Sequence, residues 1–505
     1  MDCPLLLEIN TRCWLAGLSD RAGHELSLAN VPESEFKRWQ ELGFTHLWLM
    51  GVWTTSARSR SHALEDEQLR VAYDELLPGW QPRDIPGSPF AIGHYEVSPH
   101  LGGNAALQKF RKILAAHGLK LILDFVPNHF GLDHSWVTHR PDWLVTCDAE
   151  RPGTFHMETV QGPRWIALAK DPNFPAWPDV VQIDYRVGAV RAEMVNILRS
   201  IARLCDGVRC DMAMLVLNDV FARTWSDFPI NQTPPASEFW TDAIAAVRGD
   251  KPDFVFLAEA YWGLESRLQA MGFDFTYDKH VYDCLVNRSH RELQRHVLQS
   301  PLEYTQRSAH FLENHDEPRI ATCMSPGEQR AAALVVLGLP GMRFLHDGQL
   351  TGMRHRIPVQ MGRYAAEHPD PEVVAVYDKL LNTLKDSCVG SGTATPLPAL
   401  PAWEGNPTAQ EFVVVQWQKA PLEFELVVAN LAPHRSQCRV QLTVPELGQH
   451  DWEMIDRLGD EAYVRPGAEL QEPGLFLDLP PHGAQLFRFT PQKKIVLNKT
   501  KKVKA

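Results

Sequence analysis

Eight short apolar runs, separated by amphipathic segments, constrain this chain more than any other feature of its sequence. They begin near Leu5 (LLLEIN), Thr45 (THLWLM), Leu119 (LKLILDF), Asp206 (DGVRCD), Phe254 (FVFLAE), Phe273 (FDFTYD), Ala309 (AHFLEN) and Met342 (MRFLHDG). Helical patterns fall between most of them, at 33–42, 105–117, 190–204 and 329–337. Strands alternating with helices read as repeated βα units of an α/β fold. Eight such units predict a closed TIM (β/α)8 barrel. An open doubly wound sheet is the alternative, but no GxGxxG follows the first strand.

The 505 residues leave room for attachments to one barrel. The stretch 128–180, after the third strand, is rich in Pro, Trp and His and shows no clear helix. So long an irregular segment reads as a functional excursion. Pro, Gly and Ala cluster near 390–408, and the runs EFVVVQW, FELVVANL, CRVQLTV and AQLFRFT follow. They predict a C-terminal all-β sandwich. The expected organisation is a barrel over 1–127 and 181–390, the excursion at 128–180, the sandwich at 391–492 and a basic, flexible tail at 493–505.

A formal net charge of −12 opposes binding to phosphate backbones and to anionic membrane surfaces. Neither nucleic acid nor membrane is an expected partner, whereas a neutral sugar is compatible. The nine cysteines are an odd number with no CxxC pair, which points to reduced thiols and a cytoplasmic protein. The N-terminus reads as a first strand rather than a signal peptide, and no run approaches the ~18 apolar residues of a spanning helix. The sequons at Asn231, Asn287 and Asn498 are accordingly expected to be unglycosylated.

Four polar clusters stand where predicted strands end. Asp124, Asn128 and His129 lie in DFVPNH, Arg209 and Asp211 in GVRCD, Glu259 in FLAEA, and Asn314, His315 and Asp316 in FLENHD. A barrel gathers the C-terminal ends of its strands at one mouth, so these groups would face one another. Taken singly, a carboxylate at a strand end reads as a helix cap or a loop ion pair. Several converging on one mouth suit glycoside cleavage, which needs one carboxyl to protonate the leaving oxygen and a second on the sugar's other face.

These clusters resemble, in order, regions I to IV of the α-amylase superfamily, glycoside hydrolase family 13, and WPDVVQIDY resembles a further stretch of that family. The resemblance covers nearly the whole chain. It implies that Asp211 is the nucleophile of a retaining mechanism, that Arg209 keeps it ionised and oriented, and that Glu259 is the general acid/base. It implies that Asp316 is the third carboxylate, gripping sugar hydroxyls, and that His129 and His315 bind hydroxyls of the same ring. Asp124 and Asn314 join the expected substrate-binding set. GSPFAIGHYEV resembles the segment that offers a stacking tyrosine, and Phe90 holds that position here. Trp53, Trp136, Trp165, Trp177 and Trp262 fall near predicted mouth loops.

The chain departs from many amylases after region II, where Met214 and Leu215 replace a Lys–His pair, and after the eighth strand, where Leu350 replaces a glutamate. Asn128 offers one oxygen for calcium, but a calcium site needs several, so no cofactor is expected. The expected activity is that of a retaining glycoside hydrolase on α-linked glucosides or maltooligosaccharides. A transglycosidase or isomerase working through the same intermediate is the alternative. A non-catalytic glucan-binding protein is a third reading, opposed by the three carboxylates. ARSRSHALEDEQLR reads as a solvated charged helix, with phosphosugar binding by its arginines as the other possibility.

Overall fold

Short apolar runs buried on both faces suit central strands, with side chains alternating between the inside of a barrel and its helical coat. The computed structural model describes residues 3–230 and 233–492, and in it all eight runs are such strands. They are β1 (Leu5–Asn10), β2 (His46–Met50), β3 (Lys120–Phe125), β4 (Gly207–Cys210), β5 (Val255–Ala258), β6 (Phe275–Tyr277), β7 (Ser308–His310) and β8 (Met342–His346). They close into one parallel barrel, with β1 paired to both β2 and β8. The tail 493–505 and the sequons Asn231 and Asn498 lie outside the described residues.

The barrel interior is filled by Leu6, Trp48, Ile122, Leu257, Tyr277 and Phe344 among others. The larger core lies between strands and helices, and it continues into the C-terminal sheet through Val415, Trp417 and Val427. The helix Pro326–Gly338 shows why. It starts on a Ser325 cap with Pro326 in its first turn, and residues 331–338 are all buried. A helix that is apolar on every side must be covered on every side. Here the barrel covers one face and the strand Glu423–Asn430 another.

The chain leaves the barrel after β3. His129–Gly131 pairs antiparallel with Val180–Gln182, which places His129 opposite Gln182. Between them lie a helix, Ser135–His139, and a three-stranded sheet of Thr146–Cys147, Thr154–Thr159 and Gly162–Ala167. The excursion is thus more ordered than its composition suggests. The expected charged helix is two, Ala57–Glu65 and Glu67–Leu76, broken at Asp66, whose Oδ1 accepts the N–H of Leu69 at 2.9 Å. Ala63 and Tyr73 bury against Ile85 and Met361, so one face is packed. The C-terminal part is a six-stranded antiparallel sheet facing a three-stranded one. No helix among the described residues is long and apolar enough to cross a membrane.

Candidate active site

Asp211 follows β4 and Glu259 follows β5, and the parallel register of these strands sets the two carboxylates side by side at the mouth. Arg209, on β4 and without exposed surface, lies between them. Its Nη1 is 2.5 Å from Asp211 Oδ1 and its Nη2 2.7 Å from Glu259 Oε2. The second contact is an ion pair without the in-line geometry of a hydrogen bond. The guanidinium also lies over the rings of Trp48 and Phe90 and donates to Tyr277 Oη at 3.3 Å.

Met212 turns through a left-handed φ of 42°, a conformation that costs a non-glycine residue energy and clusters at functional sites. The turn aims its N–H at Glu259 Oε2, 2.6 Å away, while Tyr261 Oη donates to Glu259 Oε1 at 2.9 Å. Burial is the largest influence on Glu259. Together with the Asp211 and Asp316 carboxylates, it outweighs Arg209 and pushes the carboxyl up to about 7. A carboxyl in that range holds a proton near neutrality and can give it up, as a general acid must.

Across the mouth, His315 Nε2 is 3.0 Å from Asp316 Oδ2 and its Nδ1 is 2.5 Å from Glu8 Oε1. Burial alone would lower the His315 ring, but Asp316 and Glu8 hold it well above its ordinary range. Burial would likewise raise Asp316, and His315 outweighs it and keeps the carboxyl below the usual range. Although packed among charged neighbours, Asp316 leaves 44% of its side-chain surface open to the cleft. Phe90 stacks on His315, with ring centres 5.2 Å apart. His129 is buried against Trp177, and that burial lowers its ring below the ordinary range against the pull of Asp211.

The remaining expected residues face inward. Asp124 has no exposed surface. Its Oδ1 accepts from Trp48 Nε1 at 2.9 Å and its Oδ2 from Gly51 N–H at 2.8 Å. Burial raises its carboxyl to about 6 against the pull of Arg209. Asn314 Oδ1 accepts the N–H groups of Asp316 and Glu317, at 2.9 and 3.1 Å, and so shapes the loop that carries Asp316. Asn128 Oδ1 accepts from Gln182 Nε2 at 2.9 Å, and the same nitrogen reaches the carbonyls of Asn128 and Ile183. Among the described residues no group of three or more His, Cys, Asp or Glu could hold a metal ion.

Met214 and Leu215 are buried in a tight turn, Trp53 and Trp136 belong to the core, and Trp262 is exposed. Arg60 is tied to the carbonyls of Pro82 and Ile85, and Arg58 lies over Phe155. Glu8, Tyr261 and Tyr277 also stand at the site, beyond the residues that the sequence motifs mark. Glu8 had a visible signal, a carboxylate inside the otherwise apolar strand LLLEIN.

A closed (β/α)8 barrel with carboxylates and an arginine grouped at the C-terminal mouth defines the class of barrel proteins whose sites are built from strand ends. The chain belongs to the alpha-amylase family: residues 39–370 match the model of the alpha amylase catalytic domain. Among curated relatives, it is 28% identical over 211 residues to an alpha-1,4-glucan:maltose-1-phosphate maltosyltransferase from Cereibacter sphaeroides, covering 40% of this chain and 30% of that one. It is 23% identical over 269 residues to alpha-amylase MalA from Haloarcula japonica, covering 52% and 36%. The chain thus spans about a third of the length of these two relatives. Among solved structures, a noncanonic maltogenic alpha-amylase AmyB from Thermotoga neapolitana superposes with a TM-score of 0.67 at 19% identity, covering 97% of this chain and 99% of that one. An alpha-amylase from Lactobacillus plantarum gives 0.67 at 21% identity, covering 96% and 98%. Both share the fold.

Proposed function

We propose that this chain is a retaining enzyme acting on α-linked glucosides or maltooligosaccharides, with Asp211 as nucleophile and Glu259 as acid/base. The observation that carries the reading is the single guanidinium of Arg209 touching both carboxylates, one of them pushed up to about 7. Asp211 attacks the anomeric carbon while Glu259 protonates the departing oxygen, leaving a glycosyl ester on Asp211. Glu259, now a carboxylate, takes a proton from the incoming water, which releases an α-configured product. Asp316 and His315 grip ring hydroxyls, His129 a further one, and Phe90 lends its face to the sugar. Asp124, Asn128 and Asn314 hold the loops on which these groups stand.

A second reading, transfer to a sugar hydroxyl in place of water, draws on the relatives named maltosyltransferases. It uses the same residues. The seven cysteines buried as thiols support a cytoplasmic setting.

The test is to trap the ester. With an α-maltosyl fluoride, whose leaving group needs no proton, Glu259→Ala should accumulate a glycosyl adduct on the peptide containing Asp211, detected by mass spectrometry. An adduct elsewhere, or rapid turnover with inversion, would sink the assignment.

A further inference from the structure

Glu8 sits on β1 in register with Trp48 of β2 and His346 of β8, with no exposed surface. A carboxylate is costly to bury unless a partner offsets it. Its Oε1 lies 2.5 Å from His315 Nδ1, and its Oε2 meets no hydrogen-bond donor among the described residues, so its interaction is concentrated on that one ring. The other ring nitrogen faces Asp316 Oδ2 at 3.0 Å. The Nδ1 contact is a hydrogen bond and the Nε2 contact an ion pair by distance, and a ring set between two carboxylates is favoured in its charged form, the imidazolium.

We propose that Glu8 is a positioning residue for the reaction: its buried carboxylate holds His315 doubly protonated and fixed in angle, as the cation beside Asp316. The proposal rests on the reading of Asp316 as the carboxylate that grips the sugar. The strand then acts on Asp316 through the His315 ring that stands between Glu8 and that carboxylate. Phe90 on one face of the ring and Trp48 edge-on at 5.6 Å leave it little freedom to turn.

Other charged and titratable groups act on this chain of contacts. Asp124 of β3 and the His315 ring attract each other, and Arg209 of β4 and Arg356 after β8 both draw Asp316 toward its ionised form. Glu259 after β5 is in turn raised by Asp316, and Tyr277 of β6 by Glu8. Arg209 and Arg356 remain when Glu8 is neutralised, but the cation in contact with Asp316 does not. The direction of the shift at His315, upward with Asp316 and Glu8 as its causes against burial, agrees with the geometry.

The experiment compares the full-length wild type with Glu8→Gln, which keeps the shape and removes the charge. Nitrogen NMR of histidine-labelled protein, with the His315 signals assigned by their absence in His315→Gln, should show both nitrogens protonated at neutral pH in the wild type. In Glu8→Gln one nitrogen should be deprotonated. On a maltooligosaccharide, kcat/KM should fall about ten- to a hundredfold, as for partners one step behind a working side chain. Without a charged His315, Asp316 becomes easier to protonate, so the acid limb of the pH profile should move to higher pH. Glu8→Asp should restore part of the rate and the charged ring. A singly protonated His315 in the wild type, which needs no variant to observe, would overturn the proposal. So would a Glu8→Gln enzyme with an unshifted profile. Absence of turnover in the wild type would strike the functional reading and leave the NMR result to decide the assignment of Glu8.

Discussion

Between Asp211 and Glu259 the fork of Arg209 sets how the two carboxyls can share one site. Glu259 must carry a proton to act as the acid, and its carboxyl is pushed up to about 7 by burial and by the neighbouring carboxylates. The protonated fraction is therefore high at mildly acid pH and falls as pH rises through about 7. We expect kcat/KM to decline along that limb, measured as a pH profile on a maltooligosaccharide, and the same limb to be absent for a fluoride substrate. Glu259→Gln should lower kcat about 10²–10⁴-fold on ordinary glycosides. The carboxylates were legible in the sequence because each follows an apolar strand. Asp124 and Asn314 occur in the same motifs yet turn inward. Spacing alone does not separate a side chain that reaches the mouth from one that pins the loop behind it.

At the scale of elements, the eight barrel strands could be read because burial on both faces makes them continuously apolar. The excursion was harder. Its strands 154–159 and 162–167 are half-buried and interrupted by His, Glu, Pro and Arg, so no period of two stands out. The pair Ala57–Glu65 and Glu67–Leu76 misled in the opposite sense, since its many charges hide a packed face that includes Tyr73. The excursion is held to β3 by the Gln182 amide, which meets Asn128 twice. Gln182→Leu should leave those buried acceptors without their donor and cost about 1–3 kcal/mol, seen in chemical denaturation. Because this link is an amide, we propose that no calcium ion is needed to hold the excursion, and chelation should leave the thermal midpoint unchanged. A fall of several degrees on adding a chelator, restored by calcium, would contradict that.

For the whole molecule, the core between barrel and helices runs on into the C-terminal sheet, which also packs a core of its own. Trp417 Nε1 donates to the carbonyl of Gly338 at 2.7 Å, and a Cβ at Gly338 would stand 2.7 Å from Val427 Cγ1. Gly338→Val should cost about 1–3 kcal/mol through overpacking, measured by chemical denaturation. This coupling was not visible in the sequence, where the Pro- and Gly-rich stretch near 390–408 reads as a plain boundary. The central claim concerns the chemistry that the assembled mouth performs, and a product profile tests it most directly. Wild type and Asp211→Asn would be incubated with maltoheptaose, with products separated by chromatography and fresh anomeric centres read by proton NMR. The account predicts α-configured products from wild type, shorter for hydrolysis or longer for transfer, and a loss of at least about a thousandfold in Asp211→Asn. Newly formed β-anomers, or an Asp211→Asn enzyme as active as wild type, would contradict it.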